Sequence, residues 1–246
     1  MDREIYRASY GVDLTTAYLR QGETDLAICL PAGVWRPELA EALFAHIMEL
    51  RAQLQAYIAG DPVFLASHAP HTLLAGAPAI AQAMANAAAL AGVGPMAAVA
   101  GAFAQAAGEF LAAHSTEVIV ENGGDIYLGT SKERIVGVYA GPQSLYTGKL
   151  GLKIAAGQQP LGICTSSGTV GPSFSYGKAD AAVILATNAL LADAAATALG
   201  NRVQTAQDVG PAVEFAAVLP GVSGALAICG QALAACGAIE LVDLSI

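Results

Sequence analysis

Residues 118–128 read Val-Ile-Val-Glu-Asn-Gly-Gly-Asp-Ile-Tyr-Leu, two short apolar runs separated by a polar segment with paired glycines. The β-branched and aromatic runs predict two strands, and Asn-Gly next to Gly-Asp favours a tight hairpin turn between them. Paired glycines also let a backbone approach a ligand closely. Two interpretations of Asn122, Gly123, Gly124 and Asp125 therefore stay open: an ordinary turn, or part of a site that holds a hydroxyl-rich ligand or a metal-bound phosphate.

On either side of this stretch, strands occur in runs rather than in regular alternation with helices. Towards the N-terminus, the apolar periodicity predicts strands at 5–20 and 24–30, a helix from about Pro37, a loop or short strand at 63–77, and alanine-rich helices at 78–91 and 96–113. Towards the C-terminus, it predicts helices at 189–199 and 206–218, and strands at 134–140, 150–155, 160–165, 180–187, 224–229 and 237–243. This order indicates an α+β fold rather than a doubly wound α/β fold.

A second polar turn, Ser166-Ser167-Gly168-Thr169, follows the apolar run at 161–164. Its hydroxyl groups and glycine could surround a phosphate. Serine and threonine side chains also satisfy turns through hydrogen bonds to their own backbone, without any ligand. Both interpretations stay open.

The third segment, Ala192-Asp193-Ala194-Ala195-Ala196-Thr197-Ala198, is predicted to be helical. Asp193 and Thr197 are four residues apart and so share one face of the helix. A carboxylate among small apolar residues needs a partner, and a carboxylate with a hydroxyl suits Mg²⁺. The alternative is that Asp193 lies in the first turn of the helix and is stabilised by the helix dipole.

Composition excludes several classes of protein. The formal net charge of −9 and the absence of basic runs argue against a nucleic-acid partner. Prolines interrupt the charge-free stretch between Asp61 and Glu109, so we expect a buried core rather than a membrane span. The four cysteines have no metal-ligand spacing and are expected to be reduced. Acidic residues among the first four do not suit a signal peptide, so a cytoplasmic location is expected.

Taken together, the three segments resemble the ApbE family of FAD:protein FMN transferases. The family's G-G-D-I segment is matched by residues 123–126, its later S-G turn by Ser167-Gly168, and its A-D-A-x-A-T-A helix by residues 192–198. The resemblance covers about residues 92–200 and is greatest to the short, cytoplasmic, uncharacterised ApbE-like proteins. It implies two tandem T-fold-like α/β units packed as one globular domain over 1–246, with an internal duplication whose halves would meet near residue 115.

The resemblance also implies ligands. Asp193 and Thr197 would hold Mg²⁺, and FAD or FMN would bind with its phosphates near the metal, contacting residues 122–125 and 166–169. This chain departs from the family in two places, because the H-I-I-D-P-x-T-G segment before the metal helix and the upstream K-G-x-x-x-D signature are both missing.

The departures leave three functions open. The chain could be a Mg²⁺-dependent transferase or hydrolase acting on a flavin or another small phosphorylated, nucleotide-like ligand. It could instead be a non-catalytic binder of a flavin or pterin, or a structural protein that uses its small-residue helices to form a homo-oligomer. No residue can be assigned a catalytic role from the sequence.

Overall fold

The computed structural model describes residues 13–157, 160–169 and 175–245. The strands are β1 (Leu14–Gln21), β2 (Thr24–Pro31), β3 (Val118–Asn122), β4 (Asp125–Gly129), β5 (Arg134–Gly137), β6 (Leu150–Ile154), β7 (Leu161–Ser166), β8 (Ala181–Ala186), β9 (Val222–Cys229), β10 (Ala232–Gly237) and β11 (Leu241–Asp243). The helices are α1 (Pro37–Gly60), α2 (Pro62–Ala66), α3 (Ala79–Ala91), α4 (Val99–Ala112), α5 (Ala189–Arg202) and α6 (Val209–Ala217). Short 3₁₀ turns precede α4 and α6, at Pro95–Ala98 and Ala206–Asp208.

Eight of these strands form one sheet in the order β1-β2-β3-β4-β7-β8-β9-β10. Every neighbouring pair is antiparallel. A second sheet has the order β11-β6-β5. The mixture of antiparallel sheet and helices agrees with the predicted α+β class.

The large sheet is covered on both faces, as alternation along β3 illustrates. Val118 and Val120 belong to the core shared with the helices, whereas Ile119 belongs to a second core that includes Leu152 and Ile154 of the small sheet. The period of two along a strand therefore divides the apolar residues between two cores. The site described below lies on the helical face.

Most of the expected elements are confirmed, with corrections at their ends. The segment 63–77, expected as loop or short strand, begins with helix α2, because the Asp61 side chain accepts a hydrogen bond from the Phe64 N–H (3.4 Å) and caps it. The strand expected at 237–243 is confirmed only at its end, where β11 covers Leu241–Asp243. Gly237 is instead the last residue of β10 and has a φ of 77°, and β10 and β11 belong to different sheets. The part of the first strand expected at 5–12 lies outside the described residues.

No helix within the described ranges is by itself long and apolar enough to cross a membrane. The adjoining segments Ala79–Ala91 and Pro95–Ala112 pass the length and composition test only as a pair, and they are bent by 102°. All four cysteines are free thiols, two of them buried.

A buried ion pair outside the site joins the strands at the end of the β3–β4 hairpin. The Glu117 carboxylate accepts hydrogen bonds from Thr130 Oγ1 (2.7 Å), Ser131 N (2.6 Å) and Arg134 Nη2 (2.7 Å). Burial alone would raise the pKa of Glu117, but these hydrogen bonds outweigh it and lower the pKa from 4.5 to about 2. The ionised form is therefore favoured in the folded chain.

We expect this carboxylate to make the protein acid-sensitive. A lowered folded-state pKa gives stability that is present above the unfolded value and lost as pH falls, here between about pH 5 and pH 2. Glu117→Gln should reduce the free energy of unfolding at pH 7 by about 2 kcal/mol, since Arg134 loses a buried partner. Urea denaturation at several pH values measures both effects. An equally steep loss of stability between pH 5 and pH 2 in the variant would contradict the assignment.

Candidate functional site

The segment 122–125 is the turn of the β3–β4 hairpin. Asn122 and Asp125 face each other across the ladder. Gly123 and Gly124 have φ values of 70° and 110°, which explains the glycines. The buried carboxylate of Glu121 accepts a hydrogen bond from the Gly124 N–H (2.7 Å). The segment is thus a hairpin turn, as its sequence predicts, and its two flanking side chains lie at the helical face of the sheet; a ligand contact for it stays a prediction.

Asn122 fastens this turn to its surroundings. Its Nδ2 donates to the Ala100 carbonyl at the start of α4 (3.0 Å), and its Oδ1 accepts from the Asp25 N–H of β2 (3.4 Å). The asparagine therefore holds the hairpin, α4 and β2 in one arrangement. Both groups of its amide are engaged by protein, so its main effect is to position its neighbours.

Asp193 and Thr197 lie on α5, whose first residue is Ala189 and whose N-cap is Asn188. The Asn188 side chain accepts from the Leu191 N–H (2.9 Å), and no acidic residue lies in the first turn. The alternative of a dipole-stabilised aspartate in the first turn is therefore wrong. Instead, Asp193 Oδ2 accepts a hydrogen bond from the Gly101 N–H of α4 (2.8 Å).

The carboxyl groups of Asp125 and Asp193 interact electrostatically. Burial, and then the charge of Asp193, raise the pKa of Asp125 well above its usual range. Burial also raises the pKa of Asp193. Cys164 of β7 has a buried thiol that donates to the Ala189 carbonyl (3.3 Å), and burial followed by the charges of Asp125 and Asp193 raises the pKa of this thiol. A pair of buried like charges is unfavourable, and a cation beside it would relieve the repulsion.

The two carboxyl groups and the Thr197 hydroxyl line one cavity of about 260 Å³. A larger cleft of about 520 Å³ adjoins it. The two share one wall, formed by Leu65, Met96, Val99, Ala100 and Asp125. The smaller cavity has the more polar lining of the two, and the larger cleft has the more apolar lining.

The donor set of the smaller cavity fits a hard divalent cation. It contains two carboxylates and a hydroxyl, which are oxygen ligands of the kind that Mg²⁺ prefers. Neither lysine nor arginine is among the described residues that line it. The described residues contain no cluster of three or more His, Cys, Asp and Glu side chains, so a softer metal with all-protein ligands has no counterpart there.

The predicted turn at 166–169 lies elsewhere. Ser167 and Gly168 contact Ala179 through hydrogen bonds to its carbonyl, and Thr169 Oγ1 donates to Asp180 (3.1 Å). None of Ser166, Ser167, Gly168 and Thr169 is among the described residues lining either cavity. Asp180 accepts from the Gly230 N–H (2.7 Å) and also lies outside the lining of both cavities. A ligand contact for residues 166–169 stays a prediction.

Sequence patterns missed several residues that line the space. His68, Tyr176 and Asn201 line the smaller cavity, with the rings of His68 and Tyr176 packed edge to face at 5.4 Å. Arg51 lines the larger cleft. These residues come from four separate segments, so no local motif could have identified them. The one signal was chemical, namely an arginine within the mainly apolar pattern of helix α1.

Comparison of the sequence with known proteins identifies a family and several relatives. A family model described as "AbpE bacteria" matches residues 10–217. A UPF0280 protein of Methanocella arvoryzae is 45% identical over 192 residues, covering 78% of each chain. A UPF0280 protein of Methanosarcina acetivorans is 41% identical over 197 residues, covering 79% of this chain and 77% of its own.

Solved structures show the same fold at much lower sequence identity. The apo form of the flavinyl transferase ApbE from Pseudomonas stutzeri superposes with a TM-score of 0.54 at 13% identity, covering 91% of this chain and 94% of that one. The flavin transferase ApbE from Vibrio cholerae superposes with a TM-score of 0.53 at 10% identity, covering 94% and 98%. By its sequence match over residues 10–217, the chain belongs to the AbpE bacteria family, and its fold is that of the ApbE flavin transferases.

Proposed function

We propose that this protein binds a flavin nucleotide, FMN or FAD, or a related small phosphorylated heterocycle, together with Mg²⁺. The observation that carries this proposal is the meeting of Asp125, Asp193 and Thr197 in a polar cavity that adjoins a mainly apolar cleft. A ligand with a charged phosphate end and a planar ring would match the cavity and the cleft respectively.

In this proposal Asp193 and Thr197 hold the cation, and Asp125 completes the oxygen ligands from the opposite side. The cation, when bound, supplies the positive charge that neutralises the phosphate. The Gly101 N–H orients Asp193 through its 2.8 Å hydrogen bond, and Asn122 fixes the hairpin that carries Asp125. The apolar side chains of the larger cleft exclude water from the ring.

Whether binding leads to transfer or hydrolysis is decided by the fate of FAD. A hydrolase would break its pyrophosphate bond with water and release FMN and AMP, a transferase would release AMP only when an acceptor hydroxyl takes the FMN group, and a binder would return FAD unchanged. The missing H-I-I-D-P-x-T-G segment favours the binder, because the chain lacks the histidine–aspartate–proline set that the transferase family carries before the metal helix. Chromatography of FAD after long incubation with the protein and Mg²⁺ separates hydrolysis from the other two outcomes.

We expect Mg²⁺ to couple to ligand binding in thermal unfolding. At 100 times the dissociation constant, a ligand stabilises the folded state by about 2.7 kcal/mol. For a chain of this size that corresponds to a rise in Tm of about 5–10 °C. FMN with Mg²⁺ should give this rise, and FMN with EDTA should give much less. Riboflavin, which has no phosphate, is the control and should be indifferent to EDTA. Equal shifts for FMN with and without Mg²⁺ would contradict the proposed role of the cation.

The topology supports a tandem arrangement of two T-fold-like units in one domain. Each half of the large sheet consists of two strands, a helical segment and two further strands: β1–β4 with α1 to α4, then β7–β10 with α5 and α6. The halves of the sheet adjoin where β4 pairs with β7, and an internal duplication with halves that meet near residue 115 stays a proposal. The cytoplasmic location and a homo-oligomer remain proposals from the sequence.

A further inference from the structure

Arg51 is a cationic side chain in an otherwise mainly apolar part of the cleft. It projects from α1, and its side chain is 13% exposed. One guanidinium nitrogen donates to Thr24 Oγ1 and another donates to the Glu23 carboxylate (2.8 Å), both in the β1–β2 hairpin. Its head is therefore held in one orientation at the rim of the cleft, and its position does not depend on a ligand.

The walls around this guanidinium are suited to a flat ring. They are formed by aliphatic, thioether and aromatic side chains from three helices and the segments between them: Leu54, Ile58, Leu65, Met96, Val99 and Phe103. Among the described residues lining the cleft and the smaller cavity, Arg51 is the only lysine or arginine. It lies in the cleft, whereas Asp193 and Thr197 lie in the smaller cavity.

A guanidinium group has five N–H donors in a planar fork. The contacts with Thr24 and Glu23 occupy two of them. The remaining donors can serve a ligand. The neighbouring Glu23 carboxylate offsets the positive charge, which makes this end of the cleft less attractive to a phosphate and better suited to neutral acceptors such as ring carbonyl oxygens and ring nitrogens.

We propose that Arg51 determines ligand specificity by donating hydrogen bonds to an acceptor-bearing edge of a planar heterocycle in the cleft. The ligand class is a fused ring with adjacent carbonyl and nitrogen acceptors, as in a pyrimidinedione or pteridine edge. This inference rests on the proposed function for the position of the phosphate end, but the ring contact itself can be tested without any phosphate.

The test uses two probes and three variants of the full chain. Riboflavin reports on the ring end, and inorganic pyrophosphate with Mg²⁺ reports on the cation end. Arg51→Gln removes the charge, and Arg51→Lys keeps the charge but not the planar fork. Arg20→Gln is the matched control, because Arg20 pairs with Asp25 on the same hairpin at the surface (3.1 Å) and lines neither cavity.

We expect both Arg51 variants to bind riboflavin about 10- to 100-fold more weakly, as loss of a hydrogen bond from a charged donor implies. Pyrophosphate binding with Mg²⁺ and riboflavin binding by Arg20→Gln should be unchanged. Calorimetry measures each affinity, and circular dichroism confirms that each variant is folded. Failure of the wild type to bind riboflavin, or unchanged riboflavin binding by folded Arg51→Gln, would overturn the inference. So would an equal loss of pyrophosphate affinity, which would make Arg51 an anion site.

The cation site and the Arg51 ring contact can be contradicted independently of each other. If FMN binding proves independent of Mg²⁺ while Arg51→Gln still weakens riboflavin binding, the cation site is wrong and the ring contact stands. If Mg²⁺ coupling is observed and Arg51→Gln binds riboflavin normally, the cation site stands and this inference is wrong.

Discussion

Asp193→Asn should weaken Mg²⁺-dependent binding of FMN by about 100-fold or more while leaving the unliganded protein at least as stable as the wild type. Asparagine has nearly the same shape and can still accept the hydrogen bond from the Gly101 N–H. It cannot supply the negative charge that a divalent cation requires from its ligands. Loss of binding without loss of folding would separate a functional carboxylate from a structural one.

The stability half of this prediction follows from the raised pKa of Asp193. A carboxyl group whose folded-state pKa lies above the unfolded value of 3.8 binds its proton more tightly in the folded chain. Its contribution to stability is therefore fully present below pH 3.8 and is lost as pH rises through neutrality. The Asp193→Asn side chain carries no charge at any pH, so the variant has neither the pH-dependent loss of stability nor the repulsion with Asp125. Its free energy of unfolding at pH 8 should therefore exceed that of the wild type by about 1 kcal/mol.

Calorimetric titration of Mg²⁺ and FMN, with urea denaturation at pH 5 and pH 8, measures both halves. Asp243→Asn is the matched control, since this carboxylate lies in β11 and accepts only a local hydrogen bond from the Ser245 N–H (2.8 Å). The control should bind FMN and Mg²⁺ as the wild type does. Unaltered Mg²⁺ affinity in Asp193→Asn would exclude this carboxylate as a cation ligand, and a marked loss of apo stability would indicate a structural role instead.

The sequence predicted local structure well wherever one short segment carries the whole pattern. The runs at 118–120 and 126–128 with Asn-Gly between them form the expected hairpin, and Asp193 and Thr197 share a helix face as expected. Both results depend on residues within a few positions of one another, where turn propensity and helical periodicity act.

Predictions that needed distant residues could not be made in the same way. The first-turn alternative for Asp193 was wrong because Asn188, not a later residue, caps the helix. Arg51 reaches the cleft only because α1 packs beside the β1–β2 hairpin. Asp125 and Asp193 are far apart in sequence, and their mutual influence depends on how α4 and α5 approach the sheet. Such contacts depend on tertiary packing, which local patterns do not encode.

The close approach of α4 and α5 makes Gly101→Ala a strongly destabilising substitution near the site. Gly101 lies in α4, where an added Cβ would lie 2.2 Å from the Ala189 carbonyl oxygen and 2.8 Å from Asp193 Cβ. The nearest atom belongs to the backbone and cannot swing away as a flexible side chain can. The helices α4 and α5 must separate instead, which disrupts a close-packed interior.

The expected cost is at least about 3 kcal/mol of unfolding free energy, at the upper end of the range for overpacked cores. The shift would also lengthen the hydrogen bond from the Gly101 N–H to Asp193, so Mg²⁺ affinity should fall as well. Gly210→Ala is the matched control. It is also a helical glycine, in α6, but an added Cβ there meets nothing within 4 Å. Alanine has the better helix propensity, but Pro211 follows and disfavours a side chain before it in helical conformation, so this control should change the free energy of unfolding by less than about 1 kcal/mol.

Urea denaturation of both variants measures the difference, because the two changes are chemically identical and only Gly101→Ala is expected to destabilise the protein strongly. If Gly101→Ala were as stable as Gly210→Ala, the two helices would not approach as closely as described. The position of Asp193 beside Asp125 would then lose its physical basis, since that position depends on the absence of a side chain at Gly101. Destabilisation of the first variant together with weakened Mg²⁺ binding would instead link the packing of α4 against α5 directly to the geometry of the cation site.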